Sequence, residues 1–182
     1  LVIFDEIETS FYRTGKRFSG EWEGIVPDLI CIGKAMTGGF PISACVGKEE
    51  VMDQWPESPG EALHTSTFLG HPVGCAMALK SLEIFERDTT IRMVEEASER
   101  LSSALQEFDH EAVREVRGRG LMWGLELNRP AGGLLTSLLA EGILFLVDGP
   151  EGNVLSFTPP FQISEGELDY ALTALRRLLD AS

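Results

Sequence analysis

The chain has 182 residues, room for one domain or two small ones. Fifteen basic residues against 29 acidic ones give a net charge of −14, which argues against nucleic acid and against anionic membrane surfaces as partners. No run is long enough to span a bilayer, no signal peptide is visible, and the apolar content is that of a soluble globular protein.

The first residues, Leu1-Val-Ile-Phe4, read as a buried strand that delivers Asp5 and Glu6 at its C-terminal end. The first residue is Leu1, inside that strand, so the sequence is expected to be the C-terminal part of a longer protein. Residues 9–27 are irregular, with Ser10, Gly15, Gly20 and Gly24 punctuating Phe11, Tyr12, Phe18 and Trp22. Leu29 to Ile32 is the second predicted strand, stopped by Gly33 and followed at once by Lys34 and by the pair Gly38-Gly39. A lysine at the end of a buried strand can lose water, and desolvation favours the neutral, nucleophilic amine. The same position also suits a lysine that merely snorkels to solvent.

Ile42 to Gly47 predicts a third strand, leading to a short helix at 49–54 and a loop running to His64. Pro72 suits a first helical position, and the pattern predicts a helix to about Arg87, with Gly74, Cys75, Ala76 and Ala78 packed closely against another element. Apolar residues from Ile91 to Phe108 recur at helical spacing, and a domain change near 87–91 is expected. Strands are predicted at 113–116, 121–127, 143–147 and 154–157, with a helix at 134–141 between them. Ser164 and Glu167 form a capping box that opens a final helix. The class is α/β, βαβ-like first and mixed later.

Cys31, Cys45 and Cys75 lack CxxC spacing and sit in apolar runs, so they are expected to be buried free thiols in a reducing compartment, which points to a cytoplasmic protein. His64, His71 and His110 stand at no metal-ligand spacing from them, and no metal is expected.

In an open parallel sheet, ligands bind beyond the carboxyl ends of the strands. Two such ends here present Asp5 and Lys34, the pair that pyridoxal phosphate (PLP) needs: an amine for its aldehyde and a carboxylate to keep its ring nitrogen protonated. Ser66 and Thr67, ahead of Gly70 and the helix beginning at Pro72, supply hydroxyls and a helix N-terminus for a phosphate. The rival reading is a P-loop ATPase, in which four apolar residues before Asp5-Glu6 form the magnesium-binding strand. It requires GxxxxGK[ST], and Gly33-Lys34 is followed by Ala35 with no glycine at the required earlier position.

Three stretches together resemble the signature of class III PLP-dependent aminotransferases, the group of ornithine, acetylornithine and 4-aminobutyrate aminotransferases and ω-transaminases. They are residues 5–15, residues 27–39 and residues 64–72, and Val116 to Glu126 is similar to the strand opening the family's C-terminal domain. The resemblance implies the C-terminal half of the fold type I large domain over residues 1–88 and a small α/β domain over 89–182. It implies transfer of an amino group from an amine, ω-amino or amino acid donor to a 2-oxo acid, by a homodimer. A racemase or aminomutase on the same fold, or a truncated non-catalytic fragment, are the alternatives.

Carried onto these positions, the resemblance makes Lys34 the Schiff-base lysine and proton carrier, and Asp5 the partner of the pyridine nitrogen. Ile7 would pack on one ring face, and Thr67 would bind the phosphate of the opposite subunit's cofactor. Glu8 stands where the family usually has Gln beside the cofactor's phenolic oxygen, so a carboxylate there must be protonated or paired. Ser10 and Tyr12 replace family glycines, and His71 stands where Asn or Asp is common. Many α-amino-acid members carry, at the place of Ser156, an arginine that clamps a substrate carboxylate. With serine there, an amine or ω-amino substrate gains weight.

Overall fold

The structure is a computed structural model that describes residues 1–57, 60 and 66–181. The chain divides into two compact units, Leu1–Ile91 and Arg92–Ser182.

The first unit is built on a three-stranded sheet in the order β1-β2-β3: β1 (Ile3–Asp5), β2 (Leu29–Ile32) and β3 (Ala44–Gly47). β1 and β2 run parallel, with Ile3 opposite Leu29 and Asp5 opposite Cys31, so both strands end on the same edge of the sheet. β3 returns antiparallel, with Cys31 opposite Cys45 and Ile32 opposite Ala44. It starts at Ala44 rather than Ile42, because Ile42 turns its amide back to the carbonyl of Phe40 before the ladder begins.

The long β1–β2 connection is irregular apart from a 3-10 turn at Ser19–Trp22, and it folds around aromatic rings. Phe11 stacks on Phe85 at 5.3 Å between centroids and meets Phe18 at 6.0 Å. Phe85 ends α2 (Pro72–Phe85), which begins with proline at its first position as the sequence predicts. The preceding helix, α1, is one turn, Glu49–Met52, shorter than expected.

Several expectations of burial do not hold in this unit. Leu1 is 87% exposed and Ile3 59%, although their composition is that of a core strand. Along α2, Gly74 fits close packing, since a Cβ there would stand 2.8 Å from the Phe40 ring, but Cys75 and Ala76 are exposed. The thiols of Cys45 and Cys75 are also exposed and that of Cys31 is half-buried. Three short strands, one long helix and a single-turn helix are too few to cover both faces of the sheet, so apolar patterning exceeds the cover available among the described residues of this unit.

The second unit has a four-stranded antiparallel sheet in the order β4-β5-β7-β6: β4 (Val113–Arg119), β5 (Met122–Leu127), β6 (Leu146–Asp148) and β7 (Val154–Phe157). β4 runs three residues further than its apolar pattern predicts. Its polar end pairs with β5 through a hairpin turned at Gly120, whose φ of 60° lies in the left-handed region that glycine adopts freely. β6 starts at Leu146 rather than at residue 143. Three helices accompany the sheet: α3 (Asp88–Gln106), which crosses the boundary between the units, α4 (Gly132–Ala140) and α5 (Glu165–Asp180).

One face of this sheet is core: Leu125 pairs with Leu155 and Trp123 with Phe157, all buried. The apolar stripes of α3 (Val94, Ala97, Leu101, Leu105) and of α5 (Leu168, Leu175, Leu179) are buried too. α5 is opened as expected: the Glu167 amide donates to Ser164 Oγ at 3.2 Å, and the Ser164 amide donates to the Glu167 carboxylate at 2.8 Å. No described helix is long and apolar enough to cross a membrane.

Candidate active site

The parallel pairing of β1 with β2 sets Asp5 and Lys34 at neighbouring strand ends. Asp5 closes β1 with its side chain exposed, and its Oδ1 accepts the amide of Ile7 at 3.2 Å, which turns the chain as it leaves the sheet. Beyond β2, Gly33 is extended, and Lys34 opens a one-turn 3-10 segment with φ of 40°. A side-chain-bearing residue in the left-handed region costs of order 1–3 kcal/mol, and such strain gathers at functional sites.

Ile7 and Glu8 come back over this strand end. The Ile7 methyl lies 3.7 Å from where a Cβ on Gly33 would stand. The Lys34 ammonium donates to the Glu8 carboxylate as an ion pair. The carboxylate at position 8 therefore meets the demand made on it by the sequence, since it is paired. Asp5, Ile7, Glu8 and Lys34 thus gather at one sheet edge. That set fits an aldehyde cofactor with a basic ring nitrogen: an amine, a carboxylate and an apolar ring contact arrive from two adjacent strand ends.

Glu6 is the residue that sequence reasoning passed over. It is 2% exposed, its Oε1 accepts the Gly20 amide at 3.0 Å, and its other oxygen accepts the Thr9 hydroxyl. It ties the start of the β1–β2 connection to the 3-10 turn and so fixes the segment carrying Ile7 and Glu8. Its only sequence signal was a carboxylate at a strand end, beside the one assigned to chemistry. A cavity of about 350 Å³ opens beside Asp5, Glu6, Thr9, Ser19 and Gly20, and Lys34 does not line it. Nearby, Tyr12 has φ of 69°, a conformation that glycine takes without strain, at a position where the resemblance expects glycine.

Thr67 is exposed in the turn 67–70 that leads through Gly70 (φ +64°) to α2. His71, the residue before the helix, keeps a buried Nδ1 that has no hydrogen-bond partner among the described residues, and its ring lies 4.8 Å from that of Phe40. His64 and Thr65 of the same motif lie outside the described residues.

Ser156 belongs to the second unit. It is half-buried on β7, opposite Gly124 and Leu146, on the face turned away from Leu155 and Phe157. Arg117 shares its row through Gly124 but is bound to Glu115 at 2.9 Å and to Glu126 at 2.7 Å. It is therefore not a free cation that replaces the missing clamp.

Comparison with known proteins points the same way. The chain is 39% identical over 180 residues to ornithine aminotransferase of Bacillus subtilis, covering 98% of this chain and 43% of that protein. Among solved structures, it is similar to ornithine aminotransferase from Toxoplasma gondii, which was solved with partial occupancy of PLP at its active site. The TM-score is 0.81 at 30% identity, covering 98% of this chain and 42% of the other. Adenosylmethionine-8-amino-7-oxononanoate aminotransferase from Methanocaldococcus jannaschii gives a TM-score of 0.84 at 33% identity, over 99% of this chain and 45% of the other. The chain thus spans less than half the length of the relatives it matches. The family model "Aminotransferase class-III" matches residues 1–179, and the chain belongs to that family.

Proposed function

We propose that the complete protein is a PLP-dependent aminotransferase that moves an amino group from an amine, ω-amino compound or amino acid to a 2-oxo acid. This chain would supply the second half of its cofactor domain, residues 1–88, and its small C-terminal domain, residues 89–182. The observation that carries this reading is the convergence of Asp5, Ile7, Glu8 and Lys34 on the ends of two parallel strands.

When bound, PLP supplies an electrophilic aldehyde and a ring that accepts electrons from the carbon bearing the amino group. The chain's own residues have defined tasks beside it. Asp5 holds the proton on the ring nitrogen. Lys34 anchors the aldehyde carbon and carries protons on Nζ, and its exposed position lets the amine swing between the two tasks. Ile7 packs on the ring, Glu8 lies beside Lys34, and Thr67 serves the phosphate of a second subunit in a homodimer. Ser156 lines the place where a donor's carboxylate would sit. Three free cysteines support a reducing, cytoplasmic compartment.

The test is borohydride reduction of the full-length protein with PLP, followed by peptide mapping. A pyridoxyl group is expected on the Lys34 peptide, and label on a different lysine would overturn the assignment. Lys34→Ala should abolish turnover while the fold survives, because the side chain fills no core.

A further inference from the structure

The segment after Lys34 is fixed to its own backbone before it reaches another element. The Thr37 amide donates to the Lys34 carbonyl at 3.4 Å, and Thr37 is buried. Its hydroxyl donates to the Phe40 carbonyl at 2.6 Å, and the Ile42 amide donates to the same oxygen at 2.9 Å. The Phe40 backbone is therefore set by the turn that Lys34 opens.

From there the Phe40 ring crosses to the turn carrying Thr67. It meets the Phe68 ring edge-on at 5.7 Å between centroids and the His71 ring at 4.8 Å, and Phe68 and His71 lie 6.2 Å apart. Phe68 directly follows Thr67, and its carbonyl accepts the His71 amide at 3.2 Å, which closes the turn. On its other side the Phe40 ring reaches α2 at Gly74, which is buried, and a Cβ there would stand 2.8 Å from the ring. Three rings thus hold the turn against the segment that begins at Lys34. These are packing contacts inside the first unit, and none needs a side chain that solvent can reach.

We propose that Phe40 is a positioning residue for the second subunit's cofactor: through Phe68 and His71 it sets the place of the Thr67 hydroxyl that receives the phosphate. The inference rests on the role proposed for Thr67 in a homodimer. A hydroxyl bonds a phosphate oxygen only within about 2.5–3.0 Å, so a small shift of the turn loses the bond. Aromatic pairs are worth enough to hold such a turn, and losing them changes an equilibrium roughly two- to tenfold. Phe40 belongs to the segment after one chain's own Lys34, so a single ring links that chain's amine to the phosphate site it lends its neighbour.

The experiment uses full-length heterodimers isolated with two affinity tags, one chain wild type and the other carrying Lys34→Ala. Only one site then turns over: its lysine comes from the wild-type chain and its Thr67 turn from the altered chain. The readouts are the PLP concentration that half-restores activity to the apo heterodimer, and kcat at saturating PLP. Two further changes are placed, separately, in the altered chain. Phe40→Ala empties the ring's place, and Gly74→Ala crowds the ring while favouring the helix. Each should raise the half-restoring concentration roughly two- to tenfold and leave kcat at saturation unchanged. Thr67→Ala in the same chain is the control. If Thr67→Ala raises the concentration while either Phe40→Ala or Gly74→Ala leaves it unmoved, Phe40 does not position the turn and the proposal is overturned. If Thr67→Ala itself leaves it unmoved, the cross-subunit role falls and the proposal falls with it. Should the Phe40→Ala chain fail to assemble, Gly74→Ala alone decides.

Discussion

Lys34 and Glu8, 26 residues apart, meet as an ion pair at the end of β2, and each side chain is more than half exposed. Exposed pairs are screened and stabilise little, so the contact matters for what it does to the amine. Under the role proposed for Lys34, Glu8 occupies the amine that the cofactor aldehyde has to reach. Glu8→Gln in the full-length apoprotein should leave the unfolding midpoint nearly unchanged and speed PLP uptake, read by stopped-flow absorbance. Uptake that is unchanged or slower would show that Glu8 does not compete for Lys34.

Glu6 makes the opposite prediction. Its carboxylate is buried and holds the Gly20 amide and the Thr9 hydroxyl. Glu6→Ala leaves the half-buried Gly20 amide and Thr9 hydroxyl without their acceptor and should cost about 1–3 kcal/mol, measured as a lower urea midpoint of the full-length protein at neutral pH. Because the segment carrying Ile7 and Glu8 is fixed there, PLP affinity should fall as well.

These two carboxylates show what was legible in the sequence. Lys34, Asp5, β2, β7 and the Ser164–Glu167 cap are local features: a run, a stop and a spacing, each readable from a few residues. The role of Glu6 was not, because its partners lie three and 14 positions away in an irregular segment without periodicity. The Cys31–Cys45 pairing depends on the register between β2 and β3, which hydrophobic pattern alone leaves open. Burial failed for Leu1, Ile3, Cys45 and Cys75 for another reason. Apolar patterning records what a surface is made to meet, and among the described residues of the first unit nothing covers it.

Asp28 gives a pH signature. Hydrogen bonds from Lys48 and from the Val2 amide hold its carboxyl below the usual carboxylate range. The folded value is lower than the unfolded one, about 3.9. The stabilisation is therefore fully present above that pH and is lost as pH falls through the folded value. Wild type should be more stable than Asp28→Asn near neutrality, and the difference should shrink as the solution is acidified below pH ~4. Urea midpoints across that range check it, and a constant difference would contradict the assigned cause.

Thr67 tests the assembly. If it serves the phosphate of a neighbouring subunit, a Lys34→Ala chain and a Thr67→Ala chain carry defects in different halves of a shared site. In verified heterodimers one of the two hybrid sites would combine both defects and the other would be intact. Activity should return above that of either parent. No return would remove the cross-subunit role.

Ser156 governs donor choice if the small domain lines the substrate site. It sits half-buried on β7 opposite Gly124. The cation of that row, Arg117, is engaged by Glu115 and Glu126. A donor carboxylate held there by arginine would gain roughly 1.5–3 kcal/mol per charge-assisted hydrogen bond, and two such bonds decide specificity. Serine supplies neither. Amines and ω-amino compounds, whose reacting carbon bears no carboxylate, lose nothing by this. Wild type should therefore prefer them to simple α-amino acids, and Ser156→Arg should shift kcat/KM toward α-amino acids, a difference in transition-state binding. The measurement is a two-donor competition on the full-length wild type and variant. A wild type that already prefers α-amino acids, with a ratio unmoved by Ser156→Arg, would take Ser156 out of the substrate site. It would leave Asp5 and Lys34 untouched, because their placement depends only on β1 and β2.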